Sequence, residues 1–199
     1  MPTSQTAHGP LRSFGRIKSR PIKPRQEALM TSLLPDLALP TTPFDPRALA
    51  PDAREVWLEI GFGGGEHLAG QAQRNPVVLL LGAEPFVNGV ASALRHVEEA
   101  GLKNVRLHHG DGREIMAAIP DASLDRGFIL FPDPWQKARH HKRRLIQPDV
   151  IADLARVLKP GGTLRFATDW ANYAEWTDER MAAATELFRE IGDRSTPAD

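Results

Sequence analysis

Apolar and polar positions along this chain change their period in a regular way. Val56 to Ile60 is a short apolar run broken only by Glu59, and it predicts a strand. Gly61-Phe62-Gly63-Gly64-Gly65 separates it from a predicted helix over Glu66 to Gln73. Val77 to Ala83 is almost continuously apolar, as in a strand buried on both faces. Phe86, Val90, Leu94 and Val97 recur at helical spacing, which predicts an amphipathic helix from about Phe86 to Ala100, stopped by Gly101. Val105 to His109 predicts a third strand, a short helix carries Ile115, Met116 and Ile119, and Leu124 to Phe131 predicts a fourth strand. Val150, Ile151, Leu154, Val157 and Leu158 mark a helix stopped by Lys159-Pro160-Gly161-Gly162. Thr163 to Thr168 predicts a fifth strand, and a last helix runs from about Tyr173 to Arg189. Ahead of these, Gln26 to Leu34 predicts a short helix ended before Pro35, and the proline-bearing stretch to Pro51 an irregular lead-in.

Strands alternating with helices predict an α/β fold, a doubly wound and mainly parallel sheet with helices on both faces. In such sheets ligands bind outside the carboxyl ends of the strands. Acids stand at or near five of those ends in turn: Glu59, Glu84, Asp111, Asp133 and Asp169. One or two would be ordinary strand-end polarity. Five of them, with a glycine loop after the first strand, mark a site.

Composition narrows the class. A chain of 199 residues suits one domain with a sizeable core. The absence of cysteine excludes disulfides, thiolate zinc sites and cysteine nucleophiles, and fits a cytoplasmic location. No apolar stretch is long enough to span a bilayer. His108 and His109 fall in a strand and read as structural, so no metal site is expected. The formal net charge is zero, yet Arg12, Arg16, Lys18, Arg20, Lys23 and Arg25 all precede the first acid, Glu27. Residues 1–35 therefore read as a flexible basic arm, with a transit peptide the weaker reading because Pro10, Pro21 and Pro24 oppose an amphipathic helix. Residues 36–199 read as the domain.

A second acid-free basic run follows the fourth strand, where Lys137, Arg139, Lys142, Arg143 and Arg144 stand with His140 and His141. It is preceded by Phe131-Pro132-Asp133-Pro134-Trp135, in which two prolines hold one carboxylate on a stiff turn beside an indole. An acid and a flat aromatic next to a basic run fit chemistry on a nucleic acid. The glycine loop narrows the cofactor. Gly61, Gly63 and Gly65 let the backbone turn tightly and approach a ligand. The last position of a dinucleotide fingerprint is here Glu66, poor company for a pyrophosphate at a helix start. Glu84 suits the two hydroxyls of a ribose, and Asp111 can accept from an adenine amino group. Adenosine without phosphates, in an acid-rich pocket that favours a cation, points to S-adenosylmethionine, with a nicotinamide dinucleotide as the alternative.

Leu58-Glu59-Ile60-Gly61-Phe62-Gly63, Gly110-Asp111, the block from Phe131 to Arg144, and Ala167-Thr168-Asp169-Trp170 with Tyr173-Ala174-Glu175 resemble the bacterial tRNA (guanine-N7-)-methyltransferase family. Order and spacing agree over roughly residues 55–180, and Leu11 to Arg16 resembles the family's basic arm. The resemblance implies a Rossmann-like, S-adenosyl-L-methionine-dependent enzyme that methylates guanine N7 in the tRNA variable loop. By motif, Glu59, Gly61, Gly63, Glu84, Asp111 and Asp133 would form the cofactor pocket, with Asp133 the catalytic acid. Lys137 and Asp169 would contact the substrate, and Arg139, Lys142, Arg143 and Arg144 would meet tRNA. The family continues into two more strands around an R-P-x-T-x-x-E segment, whereas this sequence ends at Ser195-Thr196-Pro197-Ala198-Asp199. A C-terminally short domain without those strands is therefore expected, as a monomer or homodimer. The alternatives are a non-catalytic or weakly active RNA- and cofactor-binding relative, and another nucleobase methyltransferase.

Overall fold

The computed structural model describes residues 21–192; residues 1–20 of the expected arm and residues 193–199 lie outside the described residues. Five strands, β1 (Glu55–Ile60), β2 (Val78–Ala83), β3 (Val105–His108), β4 (Leu124–Leu130) and β5 (Leu158–Ala167), form one sheet in the order β3-β2-β1-β4-β5. Every pairing is parallel. β1, β2 and β3 step one way across the sheet, and β4 returns to the other side of β1. The order reverses there, so the crevice lies between the ends of β1 and β4.

Seven helices flank the sheet among the described residues: α1 (Pro24–Ser32), α2 (Leu34–Leu37), α3 (Glu66–Arg74), α4 (Val87–Ala100), α5 (Gly112–Ala118), α6 (Pro148–Val157) and α7 (Ala171–Ala182). Alternation along β1 sends Val56, Leu58 and Ile60 into the core beneath α5, α6 and α7, where Tyr173 is fully buried. Trp57 faces the opposite core with Phe62, Leu68, Val90 and Phe128. None of the helices is long and apolar enough to cross a membrane, among the described residues.

Several boundaries differ from the sequence reading. α1 begins at Pro24, because proline is well placed in a first helical turn, and Pro35 opens α2 rather than only closing α1. Residues 24–37 are thus packed structure and not part of a flexible arm, with Leu29 and Leu37 buried. β5 starts at Leu158, five residues early. Leu158 pairs with Leu124 and the register slips before Thr163 pairs with Arg126, so Pro160-Gly161-Gly162 bulges from the strand instead of preceding it. Gly161 takes φ +81° to make that detour. α7 ends at Ala182, short of Arg189.

The helix that matters most for the crevice is α4, which packs directly on the glycine loop. A Cβ on Gly89 would collide with the backbone carbonyl of Gly63 and touch the Glu84 side chain. Backbone cannot yield as a flexible side-chain tip can. Gly89→Ala should therefore push α4 off the loop, costing about 1–3 kcal/mol as an overpacked contact. Thermal denaturation checks the stability loss, and calorimetric titration should find ligand affinity at the loop reduced by at least about tenfold, equivalent to 1.4 kcal/mol.

Candidate functional site

The glycine loop leaves β1 with left-handed backbone at Gly61 (φ +75°), Gly63 (φ +56°) and Gly65 (φ +82°). Added Cβ atoms on Gly61 and Gly63 would meet nothing within 4 Å, so the loop backbone borders open space. Glu84, just beyond β2, fastens this loop. One carboxylate oxygen accepts from the Gly63 N–H at 2.8 Å and the other from the Phe86 N–H at 2.8 Å. A carboxylate has about four lone-pair positions, so both oxygens keep capacity for a ligand's hydroxyls. Burial raises the Glu84 carboxyl above its ordinary range; the two N–H groups oppose this, and the charge of Asp133 adds to it.

Asp111 caps α5, accepting from the Arg113 N–H at 3.0 Å while Arg113 Nε and Nη2 reach it at 3.0 and 2.7 Å. Burial acts to raise this carboxyl, but Arg113, helped by the charge of His108, holds it below its ordinary range. Glu59 sits on the α3 side of β1 because it shares the parity of Trp57. Buried to 2% exposure, it lies 2.8 Å from His67 Nδ1, and His67 Nε2 lies 3.1 Å from Gln71 Nε2. Its carboxylate thus ties the end of β1 to α3, next to the glycine loop.

The turn after β4 carries Asp133. Phe131 and Trp135 adopt φ +52° and +44°, conformations that bulky residues rarely hold. Two ties hold them. The Phe131 N–H donates to the Ala167 carbonyl at 2.8 Å, and Arg144 Nε donates to the Pro134 carbonyl at 2.8 Å. Asp133 is exposed at the strand end, close enough to Glu84 and Tyr173 to act on both electrostatically. Lys137 opens a 3-10 turn over Ala138–Arg143, and Asp169 follows β5; both are exposed.

Arg139 and Lys142 are exposed on that turn, and Arg143 places its guanidinium 5.0 Å from the Trp135 ring centre. His140 stands edge-on to the same indole at 5.9 Å. Desolvation, then the charges of Arg143, Arg139, Lys137 and Lys142, push His140 below its ordinary value. Arg144 does not belong with these surface cations. It is 2% exposed, donates to the Asn172 carbonyl at 3.2 Å and its Oδ1 at 2.8 Å, and lies over the rings of Tyr173 and Trp176. It pins the Asp133 turn to the start of α7 and cannot meet RNA in this fold.

Of the expected residues, the structure brings together the glycine loop, Glu84 and Asp133. Asp111 and Asp169 stand at strand ends to either side, and Glu59 and Arg144 are buried. Gly89, His67 and Asn172 were not singled out by the sequence pattern. The helical spacing of His67 and Gln71 beside Glu59 is the signal that could have found His67.

Comparison with known proteins follows the same line. A family described as "Putative methyltransferase" matches residues 53–198. The tRNA (guanine-N(7)-)-methyltransferase of Caulobacter vibrioides (strain NA1000 / CB15N) is 66% identical over 202 residues, covering 100% of this chain and 89% of its own. That of Caulobacter sp. (strain K31) is 69% identical over 179 residues, covering 90% and 79%. That of Hyphomonas neptunium (strain ATCC 15444) is 50% identical over 167 residues, covering 83% and 76%. Among solved structures, the 16S rRNA methyltransferase KamB matches with a TM-score of 0.52 at 17% identity, covering 69% of this chain and 72% of that one. This last likeness concerns the fold.

Two outcomes follow from the site. Glu84 holds its proton more tightly in the folded chain than in the unfolded one, so its ionisation opposes folding. Stability should fall as pH rises from the ordinary value of 4.5 through the raised folded value. Glu84→Gln should flatten that fall in thermal denaturation scans between about pH 4 and pH 8 without ligand; an unaltered profile would contradict the assignment. Asp111 acts in the opposite sense, its stabilisation being lost only as pH falls through its lowered value. Arg144→Ala strands the Pro134 and Asn172 acceptors and should cost on the order of 2–3 kcal/mol in denaturant unfolding.

Proposed function

Because the chain belongs to the tRNA (guanine-N7-)-methyltransferase family, we propose that the crevice between β1 and β4 aligns a guanosine of the tRNA variable loop for methylation, with Asp133 beside the reacting base. The enzyme is an S-adenosyl-L-methionine-dependent methyltransferase acting on guanine N7 of tRNA. The residues fit that cofactor. Glycine backbone bordering open space, the spare acceptor capacity of Glu84, and a second carboxylate nearby suit a ribose and a sulfonium. When bound, S-adenosyl-L-methionine supplies an electrophilic methyl group on a positively charged sulfur.

Guanine N7 carries a lone pair and needs no deprotonation before attack. With S-adenosyl-L-methionine held against the glycine loop, transfer of its methyl group to N7 would leave the positive charge on the guanine ring. The chain's task is alignment, exclusion of water and stabilisation of that charge. In this reading Glu84 and Asp111 hold the adenosine part against Gly61 and Gly63, and Glu59 supports the loop through His67. Asp133 faces the charge that develops on the base. It can also accept from guanine N1 and the exocyclic amine, which selects guanine over adenine. Lys137 and Asp169 flank the same mouth and position the nucleotide. Arg139, Lys142 and Arg143 contact the tRNA backbone around it.

The observation that carries this reading is the register of β1 with β4, Ile60 opposite Ile129, which brings the glycine loop held by Glu84 and the turn bearing Asp133 out at one end of the sheet. Single-turnover methyl transfer to tRNA tests it. Asp133→Asn should slow the methyl-transfer step by about 10²-fold or more, as loss of a transition-state electrostatic partner does, with cofactor affinity changed only a few-fold. Lys137→Ala should mainly raise the tRNA concentration required. An undiminished rate in Asp133→Asn would remove its charge from the mechanism.

A further inference from the structure

We propose that a groove between the end of α3 and the open face of β4 and β5 is a second tRNA contact, one that takes backbone phosphates of a part of the tRNA away from the catalytic mouth. This rests on the tRNA reading above. The groove has a volume of about 520 Å³, and Arg54, Arg74, Arg126 and Arg165 all line it. These residues are scattered over the sequence and only the fold collects them. All four are exposed, and among the described residues none makes an ion pair. The contrast with other arginines is sharp: Arg25, Arg47, Arg95, Arg113 and Arg156 each pair with a carboxylate. The acid in the groove, Glu55, already accepts from Trp57 Nε1 at 2.6 Å. Four cations facing one concavity repel each other unless an anion enters it, so the groove focuses a positive field.

Its geometry favours phosphate over base. Alternation puts Arg126 and Phe128 on the same face of β4, and Arg165 of β5 is in register with Phe128. Cations therefore occupy the sheet positions where a covering helix would need apolar side chains. Arg126 is steadied over the Trp57 ring, its guanidinium carbon 4.7 Å from the centroid. Trp57 and Phe128 themselves are only 5% and 4% exposed, so neither offers a platform for stacking a base. What remains is guanidinium groups, which recognise phosphate oxygens without reading sequence. Arg165, near the end of β5, precedes Asp169 by four residues, roughly 13 Å at the rise of an extended chain. Arg54, Arg74 and Arg126 lie toward the amino ends of the strands, so the groove takes a stretch of tRNA backbone separate from the nucleotide at the mouth.

Filter binding of tRNA over a salt series tests the proposal, using Arg126→Gln with Arg165→Gln in the full chain. Neutralising phosphate contacts should lower the slope of log affinity against log salt by roughly 0.7–0.9 for each arginine removed, with affinity at low salt down about tenfold. Calorimetry should find S-adenosyl-L-methionine affinity unchanged. Arg126→Lys with Arg165→Lys keeps the charges and should keep the slope. Arg165→Gln alone breaks no ion pair or ring contact among the described residues and should lower the slope by one contact, which separates lost charge from misfolding. Unchanged slope and affinity in the Gln pair would overturn the proposal, as would equal weakening by the Gln and Lys pairs. Detection of N7-methylguanosine made by the unsubstituted chain keeps the two readings apart. If methyl transfer is present and the slopes are unchanged, the groove alone fails. If transfer is absent but the Gln pair still lowers the slope, the catalytic reading fails and the groove stands as an RNA surface.

Discussion

Parallel pairing of β1 with β4 is the constraint on which the rest of this molecule depends. Ile60 lies opposite Ile129, so the two strands run out at the same level and their following loops emerge side by side. One loop is glycine, which lets backbone approach a ligand; the other is a proline-framed turn, which fixes a carboxylate. Neither has a function without the register that brings them together. The pairing is robust because residues 56–60 of β1 and 127–129 of β4 are buried between two apolar layers, and a slip of one residue would turn their side chains to the wrong layer.

Side-chain ties then lock each loop to that frame. Glu84 holds the glycine loop from the β2 side, and the absence of a Cβ at Gly89 lets α4 close on it. Arg144 holds the Asp133 turn to α7 from inside the protein, against the strain of left-handed Phe131 and Trp135. Negative charge is gathered in the crevice, where Asp133 makes the ionisation of Glu84 harder. Such an arrangement is unfavourable while the crevice lacks a cation and becomes favourable when a cation occupies it. Positive charge is kept to the rim and to the face of β4 and β5.

Much of this was legible in the sequence, and the exceptions have physical causes. Period and length located the five strands, and Gly101 marks the end of α4 by taking the left-handed conformation. The acid at each strand end was also legible, because polar residues at the end of a buried run have few alternative places. The tie of Glu59 to His67 was not, since it depends on the parity of β1 against α3. Arg144 reads as one more cation in a solvated run; only the fold places two aromatic rings and an asparagine around it. Pro160-Gly161-Gly162 reads as a break, but the pairing of Leu158 with Leu124 makes it a bulge. The arginines of the groove share no local pattern, so no reading of neighbours along the chain could join them.

Placement of a methyl group on N7 of a guanine in tRNA is the outcome this crevice is proposed to produce. The most direct measurement is to incubate the chain with tRNA and methyl-labelled S-adenosyl-L-methionine, digest the RNA, and separate the nucleosides by mass spectrometry. The account predicts label in N7-methylguanosine. Label in a different nucleoside, or cofactor binding with no label in RNA, would contradict it.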